Sequence, residues 1–570
     1  RGSLDRDRVG RATGRLAALT SGAAPSGAPS PPIVKMAVTV DPPTTGDNAS
    51  DLTRTLRALK RLPGHGSVTV DFHATRLLPD ALRDGTWTVT ATLLHEDPRE
   101  PGNEGTSRVI RFEPGDTASR HYAVAIDVGT TTLCGELIDL GTGDIAAAAS
   151  DYNGQNGYGD DVITRMVYAR KPEGRESLRK AVIGTINGII DELTATSGAD
   201  RSDISLVTVA GNTVMIHLLL GLDTRHLRAA PYTQVLSQTP FLGAAELGIN
   251  LGEHALLRAL PMVASYVGGD ITAGGLATGL HRRDTNSLFI DIGTNGEIVL
   301  GNAEWLVTAS CSAGPAFEGG GIRHGMRATF GAIEEIRIDP ETCEAVVFTI
   351  VNVKPKGICG SGIITIVAEL LECGILEPNG RFSQGLPPSR LREGRDGMEF
   401  ILVGAEQSGI DGEIVITEAD IDNFMRAKGA LYAGYMTLLE SVGLDRNDLD
   451  EIIIAGAFGG YIDIEKSIIV GLFPDLPLDR FSFIGNGSLA GARLCALSGT
   501  MLDEVEGIAA RMTNFELSEN RSFMDHYVAS LFFPHTEMRN FPTVMERFRN
   551  TGRPCHETTR GKGKNGGGAV

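Results

Sequence analysis

The chain has 570 residues, 42% of them hydrophobic, which is enough for more than one buried core and too much for a single small domain. Its 52 basic and 71 acidic residues give a formal charge of −19, which excludes a broad nucleic-acid or anionic-membrane surface as the main partner. An anionic ligand must be held by a local site, and because the most apolar stretch, "LVTVAGNTVMIHLLLGL", is cut by Asn212, Thr213 and His217, a soluble, cytoplasmic protein is expected.

Residues 1–30 begin with an Arg-rich, helix-capable piece and pass into Pro, Gly, Ser and Ala, the composition of a linker. The chain starts without methionine, so this linker is expected to follow a missing domain. From 31 to 120, the alternating segments "IVKMAVTV", "GSVTVDF", "TWTVTATLL" and "SRVIRFEPG" surround the helical "DLTRTLRALKRL" and predict a small α+β middle domain. Two larger subdomains are expected over 121–286 and 287–550, the second with a C-terminal extension, and a disordered tail over 551–570. The seven cysteines, Cys134, Cys311, Cys343, Cys359, Cys373, Cys495 and Cys555, are scattered without a C-x-x-C pair. They read as reduced thiols rather than cluster or zinc ligands.

At Tyr122 the stretch "YAVAIDVGTTTLCGELIDLGTGD" predicts a strand, a turn and a second strand. The turn residues Asp127, Gly129, Thr130, Thr131 and Thr132 are too polar for core and too many for a two-residue hairpin. A glycine lets backbone N–H groups approach an anion, threonine hydroxyls add donors, and an aspartate can hold a divalent cation through water. The plain alternative is a decorated hairpin. That alternative weakens further along, where "FIDIGTNGEIVLGN" repeats the pattern with Asp291, Gly293, Thr294 and Asn295. A second echo pairs "LVTVAGNTVMIHLLLG" with "EIIIAGAFGGYIDIEKSIIVG", placing Gly211 and Gly456 in equivalent positions. Repetition at so long a period indicates a duplicated domain rather than a solenoid. Amphipathic helices are expected in "GICGSGIITIVAELLECGIL" and, from an acidic cap, in "DIDNFMRAKGALYAGYMTLLESVG", giving the alternation of an α/β fold.

If the two halves face each other, both acidic turns lie on opposite walls of one cleft and clamp a Mg²⁺-polyphosphate. Magnesium keeps most of its waters and takes few carboxylates, which suits Asp127 and Asp291 as water-mediated holders. Thr130, Thr131, Thr132, Thr294 and Asn295 are the expected phosphate donors, and Gly129 and Gly293 allow the backbone to approach. In "AGAFGGY", Gly456, Gly459 and Gly460 let backbone lie flat against a ring or ribose. Gln155, Asp160, Asp161 and Glu297 are candidates for orienting the attacking water, since phosphoryl transfer is mainly positioning and charge stabilisation. Asp270 and Glu318 either approach the phosphates or serve as caps and turns; His217 and His324 read as structural.

"IDVGTTT", "IDIGTNGE" and "IIIAGAFGG" resemble the phosphate-1, phosphate-2 and adenosine motifs of the actin, Hsp70 and sugar-kinase superfamily. The resemblance covers about residues 122–500 and implies an actin-like α/β ATPase fold of two duplicated RNase H-like subdomains, preceded here by the small α+β domain. No G-x-x-x-x-G-K-[ST] occurs, so the reading does not rest on a P-loop. "NGQNGYGDDVITRMVYA", "SYVGGDITAGGLATG", "CSAGPAFEGGGIRHGMRATFGAI", "GICGSGI" and "FFPHTEMRNFP" resemble the ATP-dependent reductive activators of corrinoid proteins. That resemblance implies ATP and Mg²⁺ as cofactors. It also implies a Co(II) corrinoid protein or corrinoid-dependent methyltransferase as partner, reduced to Co(I) so that methyl transfer resumes. Family members relay the electron through an iron–sulfur domain at one end, and no such cysteine motif is present here. A [2Fe-2S] centre is therefore expected only on the missing N-terminal domain, and a homodimer is one arrangement open to the chain. Rival readings are an activator of a 2-hydroxyacyl-CoA dehydratase, a small-molecule kinase and a non-catalytic ATP-gated binding protein.

Overall fold

The computed structural model describes residues 29–61, 67–95, 105–384, 390–395, 397–456 and 462–550. Most of the expected linker, the tail over 551–570, and Gly459 and Gly460 lie outside the described residues. The chain forms two compact units. The first comprises 1–284 with 301–308 and 486–514, and the second comprises 285–300, 309–485 and 515–570.

The first unit opens with a four-stranded sheet of order β1-β3-β4-β2, where β1 is Ile33–Thr39, β2 Ser67–Val70, β3 Thr88–His95 and β4 Thr106–Pro114. Helices Asp51–Leu59 and Phe72–Asp84 accompany it, and Leu59, Leu78 and Leu82 pack on Val89, Leu93, Val109 and Phe112. Lys35 reaches out of this sheet. Its buried ammonium lies 3.0 Å from Glu113 and 3.5 Å from Asp203, and donates to the Arg120 carbonyl at 2.7 Å. A buried charge survives only with such partners, so the small sheet is fastened to the residues that follow it.

Two buried histidines flank Lys35. His121 Nε2 lies 2.7 Å from Ser205 Oγ, and His254 Nε2 faces the Arg111 guanidinium at 3.2 Å. Burial first, then the Lys35 charge, lowers the His121 pKa to about 3; burial, then Arg111 and Lys35, lowers His254 to about 3. A depressed histidine stabilises the fold fully above its unfolded pKa near 6.5 and loses that contribution as pH falls towards about 3. Each costs about 1.4 kcal/mol per pH unit in that window, or about 2 kcal/mol at pH 5. His254→Gln, which keeps an acceptor for Arg111 but cannot be protonated, should show a smaller drop in melting temperature than the parent between about pH 7 and about pH 5. Equal drops would remove His254 from the account.

The rest of the first unit is built on a six-stranded sheet of order β7-β6-β5-β8-β10-β9. Here β5 is Tyr122–Val128, β6 Thr132–Asp139, β7 Ile145–Tyr152, β8 Ile204–Gly211, β9 Leu242–Gly243 and β10 Leu256–Ala259. β5, β6 and β7 are antiparallel neighbours, whereas β8 returns parallel beside β5. Strand β8 is buried along its whole length, as expected of a central parallel strand covered on both faces. Helix Pro172–Ser197 contributes Leu178, Val182, Ile186, Ile190 and Leu193 to this core. Helix Gly269–Thr278 packs against helix Gly487–Leu497, which comes back from far downstream in the chain.

In the second unit, β14 (Ala332–Ile338), β15 (Ala345–Thr349) and β16 (Gly357–Ile358) form one three-stranded sheet, and β17 (Leu391–Gly394), β18 (Gly397–Val403) and β19 (Ile414–Thr417) another. The expected long helix runs over Glu418–Ser441 and starts at a capping box in which Thr417 and Asp420 satisfy each other's backbone N–H. The main sheet has order β21-β20-β11-β12-β13-β22, with β11 Ser287–Ile292, β12 Gly296–Gly301, β13 Leu306–Cys311, β20 Glu451–Gly456, β21 Phe481–Gly485 and β22 Met512–Asn514.

The two large sheets share one plan: three consecutive strands lie side by side and the fourth sits next to the first. The match extends to register. β5 sets Asp127 opposite Ala210 and Val128 opposite Gly211, whereas β11 sets Asp291 opposite Ala455 and Ile292 opposite Gly456. The duplication read from the sequence is thus a duplicated RNase H-like topology, the actin-like ATPase architecture. Among the described residues no helix is long and apolar enough to cross a membrane.

Candidate functional site

Strand β5 ends by presenting Asp127, whose carboxylate accepts hydrogen bonds from Asn486 Nδ2 and Ser488 Oγ, both at 2.8 Å. Asn486 also caps helix Gly487–Leu497 by accepting from the Leu489 N–H at 2.8 Å, so its amide is fixed at both ends. Desolvation raises the Asp127 pKa above the usual carboxylate range, against the opposing pull of these two donors. Asp270 stands in the first turn of helix Gly269–Thr278 and accepts from the Ile271 N–H at 2.9 Å. Burial, and after it the Asp127 charge, pushes Asp270 up to about 7.

Two carboxyl groups, each disfavoured in its ionised form and each within reach of the other's charge, make a pocket that a hydrated divalent cation would relieve. Among the described residues no group of three or more His, Cys, Asp or Glu is arranged to hold a metal directly. Water-mediated binding by few carboxylates is the mode that magnesium favours and that this donor set fits.

The turn beside Asp127 contains Gly129, where a Cβ would overlap the Thr132 carbonyl oxygen, so only glycine closes it. Thr130, Thr131 and Thr132 are all half-buried. A second layer fixes the turn: Asn153 Nδ2 donates to Gly129 O at 3.0 Å, Asn153 N–H to Thr131 O at 3.0 Å, and Asn156 Nδ2 to Thr131 O at 3.1 Å. Gln155, next to these asparagines, is buried; its Nε2 donates to Leu178 O at 3.0 Å and its Oε1 accepts from Arg165 at 3.2 Å. Asp161 caps helix Val162–Tyr168 by accepting from the Thr164 N–H at 2.7 Å, and Asp160 is exposed beside it. These three candidate water-orienting residues therefore sit on the segment behind the turn.

In the second unit Asp291 ends β11 and Gly293, Thr294 and Asn295 are half-buried. The turn is closed by the Gly293 N–H on Asn295 O at 2.9 Å, and Thr294 Oγ1 donates to Glu318 Oε2 at the same distance. Glu297 is buried on β12. Burial and then the Glu297 charge push the neighbouring Cys311 thiol up to about 12, and that thiol donates to the Gly296 carbonyl. Gly456 ends β20 with φ +113°, and a Cβ there would overlap the Ile292 carbonyl oxygen. The chain can thus bring the end of β20 flush against the end of β11 only with glycine at this position.

His217 has both ring nitrogens engaged by backbone: Nδ1 donates to Thr213 O at 2.8 Å and Nε2 accepts from the Val235 N–H at 3.1 Å. It is a structural residue. Asn486 and Ser488 are the site residues that sequence reasoning missed, and no motif marks them, because their link to Asp127 exists only through the returning helix.

Three family models match successive parts of the chain. The "RACo linker region" matches residues 23–119, the "RACo middle region" 122–283 and the "C-terminal domain of RACo the ASKHA domain" 285–545. Corrinoid activation enzyme RamQ of Eubacterium limosum is 34% identical over 438 residues, spanning 75% of this chain and 73% of that protein. The Co(II) methylated amine-specific corrinoid protein reductase of Methanosarcina barkeri is 27% identical over 448 residues, spanning 72% of this chain and 77% of that protein. The solved structure titled "Reductive activator for corrinoid,iron-sulfur protein" superposes with a TM-score of 0.84 at 42% identity, over 91% of this chain and 82% of that one.

Proposed function

The chain belongs to the RACo family of reductive activators, and from that membership we propose that it couples ATP hydrolysis to the activation of a corrinoid protein, returning inactive Co(II) to Co(I). The observation that carries the reading is the pocket at Asp127, where two desolvated carboxyl groups adjoin a glycine–threonine turn. MgATP supplies the free energy that an uphill electron transfer needs. A one-electron gap of about 300 mV costs about 7 kcal/mol, a scale that nucleotide binding and hydrolysis reach.

In this reading Asp127 and Asp270 hold the hydrated Mg²⁺, and Asn486 and Ser488 keep Asp127 aimed while its charge is being compensated. The backbone at Gly129 and the hydroxyls of Thr130, Thr131 and Thr132 bind phosphate oxygens. Asp291, Thr294 and Asn295 take the phosphate-2 role that their sequence resemblance implies, and Glu297 orients the attacking water from β12. The electron comes from a [2Fe-2S] donor not held by the described residues. Nucleotide can act on the partner only by binding two conformations of this chain unequally, because tight binding alone shifts nothing.

Turnover of ATP by the full chain, with and without a Co(II) corrinoid protein, tests the proposal. ADP and phosphate should appear together, faster when the corrinoid protein is present. A phosphorylated small molecule would instead select a kinase, and slow turnover indifferent to the corrinoid protein would select a binding protein.

A further inference from the structure

The segment 152–168 joins the phosphate-1 turn to an apolar surface. On its inner side Asn153 and Asn156 hold the Gly129 and Thr131 carbonyls, as described above. The buried Arg165 guanidinium gathers the same segment: it donates to Asn156 Oδ1 at 2.7 Å, Gln155 Oε1 at 3.2 Å and Gly159 O at 2.9 Å. Only two side chains, Asn156 and Arg165, therefore separate the Thr131 carbonyl from helix Val162–Tyr168.

That helix is amphipathic in an unusual sense. Val162, Arg165 and Met166 point inward, whereas Ile163, Val167 and Tyr168 remain 44%, 45% and 42% exposed on the outer face. Tyr158 lies against Tyr168 with ring centroids 5.1 Å apart and extends the apolar surface. Its rim carries exposed Asp160 and Asp161 at one end and exposed Arg170 and Lys171 at the other. Clustered aliphatic and aromatic side chains inside a charged rim are the usual anatomy of a protein-binding hot spot.

We propose that Tyr158, Ile163, Val167 and Tyr168 form the surface on which the Co(II) corrinoid protein docks, and that the Asn156–Arg165 link adjusts it to the state of the phosphate-1 turn. The inference rests on the activase reading, which requires one surface whose affinity follows the nucleotide. A patch this small suits an electron-transfer partner that must leave after each reduction, since such encounters lie at the low end of interface areas. A second copy of this chain is disfavoured as occupant, because it would bring a further −19 of charge towards the same surface.

The test is the double variant Ile163→Glu, Val167→Glu, which charges the patch with good helix formers at positions remote from bound phosphate. Its affinity for a purified corrinoid iron–sulfur protein in the Co(II) state is measured with ADP and with a non-hydrolysable ATP analogue. Affinity should fall about tenfold or more, with basal ATP turnover and light-scattering mass unchanged. Asn156→Ala, which leaves the patch intact, should shrink the difference in affinity between the two nucleotides. Parental binding by the double variant would overturn the docking surface and leave the activase reading standing. No binding by the parent in either nucleotide state would overturn both. A change in oligomeric mass on charging the patch would assign it to contacts between copies, contrary to the proposal.

Discussion

Asp127→Asn is expected to lower MgATP turnover by about a hundredfold or more without lowering the melting temperature. The loss follows from removing a charge aimed at the metal and phosphates, the largest electrostatic contribution a single residue makes in such a site. The unchanged stability follows from the opposite sign of the same charge in the empty pocket. There the ionised carboxylate is desolvated and raises the pKa of Asp270, so its neutral substitute relieves repulsion. Asn486 and Ser488 each lose a charged acceptor, which offsets part of that relief. ATP turnover and thermal unfolding measured on the same preparation separate the two effects. Parallel loss of both would make Asp127 a folding residue, and undiminished turnover would remove it from the site.

Gly456→Ala should act through the backbone instead. The φ of +113° disfavours any residue with a Cβ, and that Cβ would overlap the Ile292 carbonyl, which lies in the middle of the parallel β11–β20 pairing. Strain of this kind costs about 1–3 kcal/mol by itself, and the overlap with backbone adds to it because a strand cannot swing away as a side chain can. A loss of about 3 kcal/mol or more in denaturant unfolding is expected, together with weakened ATP binding, because Asp291 sits one residue before Ile292. Wild-type stability and nucleotide affinity would show that the ends of β11 and β20 are not pressed together in solution.

The parts of this protein that were legible in its sequence are those coded by local chemistry. An apolar strand, an aspartate, a glycine and hydroxyl side chains within a few residues define the turns at Asp127 and Asp291, and their repetition disclosed the duplicated fold. The acidic cap before the long helix was legible for the same reason, since Thr417 and Asp420 act within one turn. What stayed hidden depends on tertiary return. Asn486 and Ser488 stand 359 and 361 residues from the aspartate they hold, and nothing in "IGNGSLAGARL" announces a partner so distant. The loop "GQNGYGDD" suggested polar groups available to a water molecule, yet Gln155 and Asp161 satisfy backbone and arginine donors close by. Short polar side chains in loops meet backbone before they meet ligand. Asp270 could be read as a cap or as a ligand from sequence, and the structure places its carboxyl under the influence of Asp127.

The most direct measurement is the visible spectrum of a Co(II) corrinoid protein mixed anaerobically with the full chain and a low-potential reductant, with and without MgATP. The account predicts that the Co(II) band gives way to a Co(I) band only when MgATP is present, and that an Asp127→Ala, Asp291→Ala variant leaves Co(II) unchanged. Co(I) appearing equally without ATP, or equally with that variant, would contradict it.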